Sequence, residues 1–295
     1  MSSRRTLSLV ALVVLAFGLG AIPLIVREDI PWQSLVASRV WLGALTLIVL
    51  MAATRQLRIP ATHRVEIVLG GILLAVHWAT FFWAIKNTTV AVALAVVFLG
   101  PVSASVLAPR FLGDVVPRRI YWALGTSFFG VVLVVVRQGA DESTSGFEIE
   151  GVLAALVSAA AIAALMLITK AAVDTVGALP VATGELVVAA IVLSPWLPGA
   201  VSETVANPLP LLTLGIVLTG LSFLIIWTAI REHSVAVVSV LLHIEPASAV
   251  VLALVFLSEV PDGWQWLGIG LVLAGGLMAA RDATTGEVLH APANL

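Results

Sequence analysis

The sequence predicts an all-α membrane protein: ten transmembrane helices in two inverted five-helix repeats, with both termini cytoplasmic. Three observations predict it. The 295 residues are 60% hydrophobic and 11% charged, with a mean hydropathy of +1.12; a soluble domain carries about 25% charged residues. Apolar runs of about 20 residues recur along the whole length, each enough to cross a hydrocarbon core of about 30 Å. The second half repeats the first at a fixed offset of 145 residues, the signature of an internal duplication.

The repeat is read residue by residue. FLGPVSASVLAPRFLGD (98–114) aligns with HIEPASAVVLALVFLSE (243–259), so that Pro101 falls on Pro246, Ser103 on Ser248, Ala104 on Ala249 and Asp114 on Glu259. Upstream, Ala84, Ile85 and Lys86 pair with Ala229, Ile230 and Arg231; downstream, Gly125 and Gly130 pair with Gly270 and Gly275. The expected units are 1–140 and 148–283, followed by a short cytoplasmic tail, 284–295.

Each apolar run is bounded by charges or by Pro/Gly punctuation. The run 7–26 follows Arg4 and Arg5 as a signal peptide would, but about 20 apolar residues exceed a typical signal h-region. Its counterpart begins at Val152, well inside the chain, so it is kept as the first helix. Segments 32–53, 65–85, 90–108 and 120–136 complete the first unit. The connector 138–150 contains Asp141, Glu142, Glu148 and Glu150 among Gly and Ser, and reads as an external linker. Segments 151–169, 179–197, 209–230, 235–257 and 264–280 form the second unit. The seventh contains Pro195 and abuts Pro198, so it is the one a split or merger would alter.

Orientation follows from the basic residues. With a cytoplasmic N-terminus, the inner segments hold Arg4, Arg5, Arg55, Arg58, Arg64, Arg110, Arg118, Arg119, Lys170, Arg231 and Arg281, and the outer ones Arg27, Lys86 and Arg137. Arg39 alone among the 15 basic residues falls within a predicted helix. Five helices per unit is an odd number, so the second unit enters from the opposite side. Asp114 accordingly falls among inner arginines and its counterpart Glu259 in an outer turn with no basic residue. Inverted repeats are a hallmark of secondary transporters, whose halves exchange conformations around a central site. They also occur in channels, and duplication for packing alone is the plainer alternative.

The two proline-centred stretches, each followed by a Gly-containing helix (WALGTSFFGVVLVV and WLGIGLVLAGGLMAA), resemble the ten-helix EamA-type branch of the drug/metabolite transporter superfamily. The run WAIKNTTVAVALAVVFLGP resembles the threonine/homoserine exporters within that superfamily. In those exporters a glutamate often sits four residues before the first proline, where this chain has Val97. The resemblance covers essentially the whole chain. It implies a multi-pass carrier in the cytoplasmic (inner) membrane that exports an amino acid or related amphipathic metabolite.

Ionisable side chains within a bilayer cost about 2.5–3.5 kcal/mol on insertion scales, so each needs a reason. Glu245 is the sharpest candidate. It precedes Pro246, which has no N–H to donate and weakens the ladder near Leu242 and His243. A carboxylate there suits proton coupling or a substrate amine; the plainer reading is a hydrogen-bonded packing residue. His243 lies about 200° around a regular helix from Glu245 and shares its face only if Pro246 distorts the turn. His77 beside Trp78 is a further candidate, weighed against packing. Arg39 lies about 10 Å into the second helix from the outer side, and Glu185 about as deep in the seventh from the inner side. Inverted symmetry therefore separates them, and the resemblance favours a structural or gating role for Arg39. Pro101 and Pro246 mark the helix breaks.

Trp78, Phe81, Phe82 and Trp83 crowd the third segment, and Trp227 stands in the eighth. Trp32, Trp122, Trp264 and Trp266 read as an interfacial belt. Trp78 is too deep for that and reads as core or pocket lining. Gly125, Gly130, Gly268, Gly275 and Gly276 permit close helix packing.

The absent motifs narrow the function. No GxxxxGKS/T phosphate loop occurs, so no ATP motor is expected. No HExxH, DxxD or Cys/His cluster points to a metal, and no cofactor is expected; the short loops leave no room for a soluble catalytic domain, so the chain does not read as an enzyme. A net charge of -2 argues against nucleic acid. The expected partners are a small-molecule substrate and the lipid bilayer, and a homodimer is compatible with this reading. Uptake or facilitated passage, a channel, and a membrane scaffold are the rival functions.

Overall fold

Helices built from apolar runs satisfy every backbone group internally, which a bilayer demands. The computed structural model describes residues 3–22, 30–56, 63–87, 90–113, 116–140, 149–258 and 260–285, and among them every regular element is helical. In the first half these are α1 (Ser3–Leu19), α2 (Trp32–Ala53), α3 (Arg64–Asn87), α4 (Val90–Val97), α5 (Leu99–Leu112) and α6 (Arg118–Ala140). The second half begins with α7 (Ile149–Val176), α8 (Ala178–Val192), α9 (Leu197–Ala206) and α10 (Pro208–Leu212). A π-helical run, Thr213–Leu221, leads into α11 (Ser222–Glu232), then α12 (Val235–Leu242), α13 (Ile244–Leu257) and α14 (Gly263–Thr285). Seven helical spans are long and apolar enough to cross a membrane among the described residues, and the bent pair α8–α9 raises this to eight. Val14, Val65, Phe111 and Leu209 stay exposed on the outer faces, as expected of helices apolar all round whose second partner is lipid.

Several boundaries differ from the sequence expectation, each for a local reason. The predicted end of the first segment at 26, most of the linker 138–150, Asp114, Glu259 and most of the tail lie outside the described residues. Lys170 does not end a helix: α7 continues to Val176, and the buried ammonium meets Asp174 one turn on at 2.8 Å. The seventh segment bends by 63° at Leu193, ahead of Pro195 and Pro198.

The fourth and ninth segments are each broken three residues before their proline. Phe98 has φ/ψ of −67°/−8° and His243 −63°/−10°, and the two positions are equivalent under the 145-residue offset. Pro101 and Pro246 cannot donate to the carbonyls of Val97 and Leu242 and crowd them sterically, so the chain breaks just there. The following helices close alike. Gly113 (φ +69°) and its counterpart Ser258 (φ +58°) are both left-handed C-caps, a conformation free for glycine and strained for serine.

The two halves interlock through reciprocal contacts. α3 packs along α7, and the counterpart pair, α11 and α1, also pack together. α6 and α14 form the most extensive helix pair. A Cβ on Gly130 would lie 2.6 Å from Gly268 O, and one on Gly275 would lie 2.6 Å from Ala123 O. The offset exchanges these two contacts, so a local twofold relation runs through this interface. Among the described residues Gly125 has nothing within 4 Å of such a Cβ, and Gly276 only side-chain ends near that distance, so close packing rests on Gly130, Gly268 and Gly275.

Candidate functional site

Broken helices and an aromatic-rich α3 surround a cavity of about 360 Å³ where the halves meet. Its wall comes from the end of α1 (Leu19, Gly20), α2 (Arg39), α3 (His77, Trp78, Phe81, Phe82), and the α4–α5 break (Val97, Phe98, Pro101). The second half adds Ile162 and Met166 of α7, Leu218 of the π-helical run, Ser222, Phe223 and Trp227 of α11, and Leu242, Glu245 and Pro246 around the α12–α13 break. Val97 and Leu242, whose carbonyls the prolines cannot serve, are thus both on the wall. Ile22, Ile85 and Leu94 also line it.

Arg39 and Glu245 are the charged residues on this wall. Arg39 is buried, with Cζ 4.3 Å from the Trp78 ring centroid and 5.8 Å from that of Phe82. Its Nε donates to Thr219 Oγ1 at 3.1 Å. The π-helical winding positions that acceptor, because the Thr219 hydroxyl donates to Leu214 O five residues back at 2.7 Å. Gly43 of α2 fits against it: a Cβ there would stand 3.0 Å from the Thr219 methyl. Among the described residues no direct ion pair joins Arg39 to Glu245, though both line the same cavity.

His77 is tied to α7. Ser158 Oγ donates to His77 O at 3.0 Å and lies 2.8 Å from the ring Nδ1. With the serine proton committed to that carbonyl, it is Nδ1–H that donates to Ser158. The Phe81 ring is parallel to it, with centroids 6.2 Å apart.

The structure does not bring all the candidates together. His243 is fully buried beside Ser127, Nδ1 to Oγ 3.1 Å, between the rings of Phe98 and Phe128, and is not on the cavity wall. Among the described residues its Nε2 has no hydrogen-bond partner. Glu185 is also off the wall: Thr169 Oγ1 and Trp227 Nε1 donate to it, each at 2.6 Å. Among the described residues no hydrogen bond or ion pair joins Arg39 to Glu185, whose partners are separate.

Sequence reasoning passed over Thr219, Ser222 and Phe223. The repeat carried a signal for two of them, since Ser222 is the counterpart of His77 and Phe223 that of Trp78. It also missed a polar cluster at the other end of α1. Ser8 Oγ lies 2.7 Å from Glu232 Oε2 and 3.1 Å from His233 Nε2, and that ring nitrogen lies 3.2 Å from Arg5 O. This cluster ties the start of α1 to the α11–α12 turn, about 18 Å along α1 from Gly20 at 1.5 Å per residue. Among the described residues no group of three or more His, Asp or Glu could hold a metal ion.

A helical membrane protein of two related halves, broken at paired prolines around a largely apolar chamber with a few fixed polar groups, has the form of a membrane transporter. Comparison with known proteins supplies the family. The profile of the EamA-like transporter family matches residues 4–136 and 149–281. The chain belongs to that family. It is 27% identical over 287 residues to the pseudopaline exporter CntI of Pseudomonas aeruginosa, covering 91% of this chain and 92% of the relative. It is 26% identical over 269 residues to the uncharacterized transporter YwfM of Bacillus subtilis, covering 86% and 87%. A further Bacillus subtilis protein, the uncharacterized transporter YxxF, aligns at 26% identity over 70% of this chain and 66% of its own length. A solved crystal structure superposes with a TM-score of 0.77 at 19% identity, over 97% of this chain and all of its own, which shows the shared fold.

Proposed function

We propose that this protein is a secondary transporter that exports a small amphipathic metabolite, an amino acid or related compound, across the cytoplasmic membrane by alternating access. The observation that carries this reading is the shared cavity: one guanidinium held over aromatic rings and one carboxylate beside a helix break, in a largely apolar chamber. Such a wall suits a zwitterion with an apolar side chain, Arg39 meeting a carboxylate and Glu245 an ammonium group or a proton. Val97 and Leu242 add backbone acceptors released by Pro101 and Pro246. The export direction is supported by the relative named as an exporter.

In this reading the chain has ten membrane segments, with α1 and α6 completing the set, in inverted units 1–140 and 148–283. Both termini and the tail 284–295 are cytoplasmic. The cavity then leads outward, and the Ser8–Glu232–His233 cluster closes the cytoplasmic end. Protonation of Glu245, or the substrate gradient alone, drives the cycle. His77 and Trp78 shape the chamber, while His243 braces the break. A homodimer in the bilayer is compatible with this scheme.

The experiment is a growth screen of overexpressing cells against amino acids and their toxic analogues. Resistance to a subset, with lowered intracellular levels of those compounds, is expected. Sensitisation would instead identify uptake, and no change across the set would exclude this substrate class.

A further inference from the structure

One buried carboxylate has no place in the chemistry of the cavity. Glu185 on α8 is 0% exposed, yet both of its oxygens are used. Thr169 Oγ1 of α7 donates to Oε1 at 2.6 Å, and Trp227 Nε1 of α11 donates to Oε2 at 2.6 Å. α3 makes room for the group, since a Cβ on Gly70 would stand 2.5 Å from Oε1. Four helices are thus fitted around one carboxylate, and of these residues Trp227 lines the cavity. From Trp227 the ring contacts run on, with centroids 5.0 Å to Phe223 and then 5.2 Å from Phe223 to Trp78, over which Arg39 lies.

An indole N–H is a donor only, so a buried tryptophan is oriented by whatever accepts from it. Leaving that donor buried and unserved is costly, and the ring would turn to find another acceptor. The orientation of Trp227 therefore depends on Glu185, which never meets the chamber itself.

We propose that Glu185 is a positioning residue: it fixes the Trp227 indole as the inner wall of the cavity and thereby sets the size of side chain the site accepts. This rests on the cavity being the substrate site. Apolar walls discriminate by size, with about 10–200-fold available per methylene-sized difference. A wall that turns by one ring width changes that selection without touching the charged groups that hold the substrate.

The test has two arms. In the first, ¹⁵N-indole resonances are recorded from the detergent-solubilised protein, with the Trp227 signal assigned by its loss in Trp227→Phe. In Glu185→Gln the signal is expected to move while remaining sharp, because the amide oxygen still accepts from the indole. In Glu185→Ala it is expected to move further and broaden. An unchanged Trp227 resonance in Glu185→Gln overturns the proposal, and that variant decides if the alanine variant does not fold.

In the second arm, KM and kcat are measured in proteoliposomes for L-leucine and L-tryptophan, two zwitterions that differ in side-chain size. Glu185→Ala is expected to change the ratio of their KM values by roughly tenfold, within the range of size discrimination available to such a wall. The kcat values should move much less, and Glu185→Gln should restore the wild-type ratio. A ratio unchanged in Glu185→Ala, or both constants falling together for both compounds, overturns it. If the wild type moves neither compound, the substrate reading fails while the indole resonance still decides whether Glu185 positions Trp227.

Discussion

The Arg39 guanidinium lies over the Trp78 ring, 4.3 Å from its centroid, with Nε bonded to Thr219 in the opposite half of the protein. A charge within a bilayer needs partners, and here they are a π face, a second ring and a hydroxyl set by a π-helical turn. A desolvated cation–π contact is worth about 2 kcal/mol. These contacts fix the guanidinium at the cavity wall, where the proposed function has it meet a substrate carboxylate.

Replacing Arg39 should weaken binding more than it slows turnover. Arg39→Ala is expected to raise KM by roughly 30-fold, the equivalent of about 2 kcal/mol. Arg39→Lys should recover only part of this, because an ammonium cannot present a flat fork to a carboxylate while covering the ring. Initial-rate transport in proteoliposomes measures both.

Glu245 should carry the pH dependence of transport. Glu245→Gln is close in size, leaves Pro246 and the helix break in place, and cannot exchange a proton. It is expected to reach the membrane at normal levels, to lose proton-driven transport, and to show a flat pH profile where the wild type responds. Flux measured under an imposed pH gradient checks this; an unchanged profile would remove Glu245 from the coupling mechanism.

The cluster of Ser8, Glu232 and His233 should act as a closure at the end of the bundle away from the cavity mouth. The chain contains no cysteine, so Ser8→Cys and His233→Cys provide a single pair of thiols. A short, cleavable bifunctional thiol reagent across them is expected to stop transport, and reduction to restore it. Full activity with the link intact would show that this end does not open.

The α6–α14 interface should be intolerant of side chains at Gly130 and indifferent at Gly125. Gly130→Val places a Cβ 2.6 Å from Gly268 O and is expected to destabilise the protein, by about 1–3 kcal/mol as for overpacked cores. Gly125→Ala meets nothing within 4 Å and should stabilise the helix slightly, by up to about 1 kcal/mol. Thermal denaturation in detergent compares the two on one helix.

The all-helical, membrane-spanning character was legible because it depends on local quantities: run length, hydropathy and punctuation. Pro101 and Pro246 announced breaks at Phe98 and His243, since a missing donor and a steric clash act within one turn of the same chain. The repeat paired Gly130 with Gly275, but not the contacts each makes across the α6–α14 interface. Facing relations between helices were not legible. Glu185 reads as an intramembrane acid on its own helix, and only the packing of α7 and α11 shows that both of its oxygens are spent on Thr169 and Trp227. The Ser8–Glu232–His233 cluster joins residues more than 220 positions apart, beyond the reach of any periodicity. The 63° bend between α8 and α9 was signalled by Pro195 and Pro198, but its direction depends on α2, against which α9 packs.

Counterflow tests the central claim, that the cavity is the site of an alternating-access carrier. Proteoliposomes are loaded with an unlabelled amino acid, and uptake of the same labelled compound is followed. The account predicts saturable uptake that is stimulated by the internal load, is weakened by Arg39→Ala and stops when residues 8 and 233 are cross-linked. Flux that is unsaturable and indifferent to the internal load would describe a channel and contradict it.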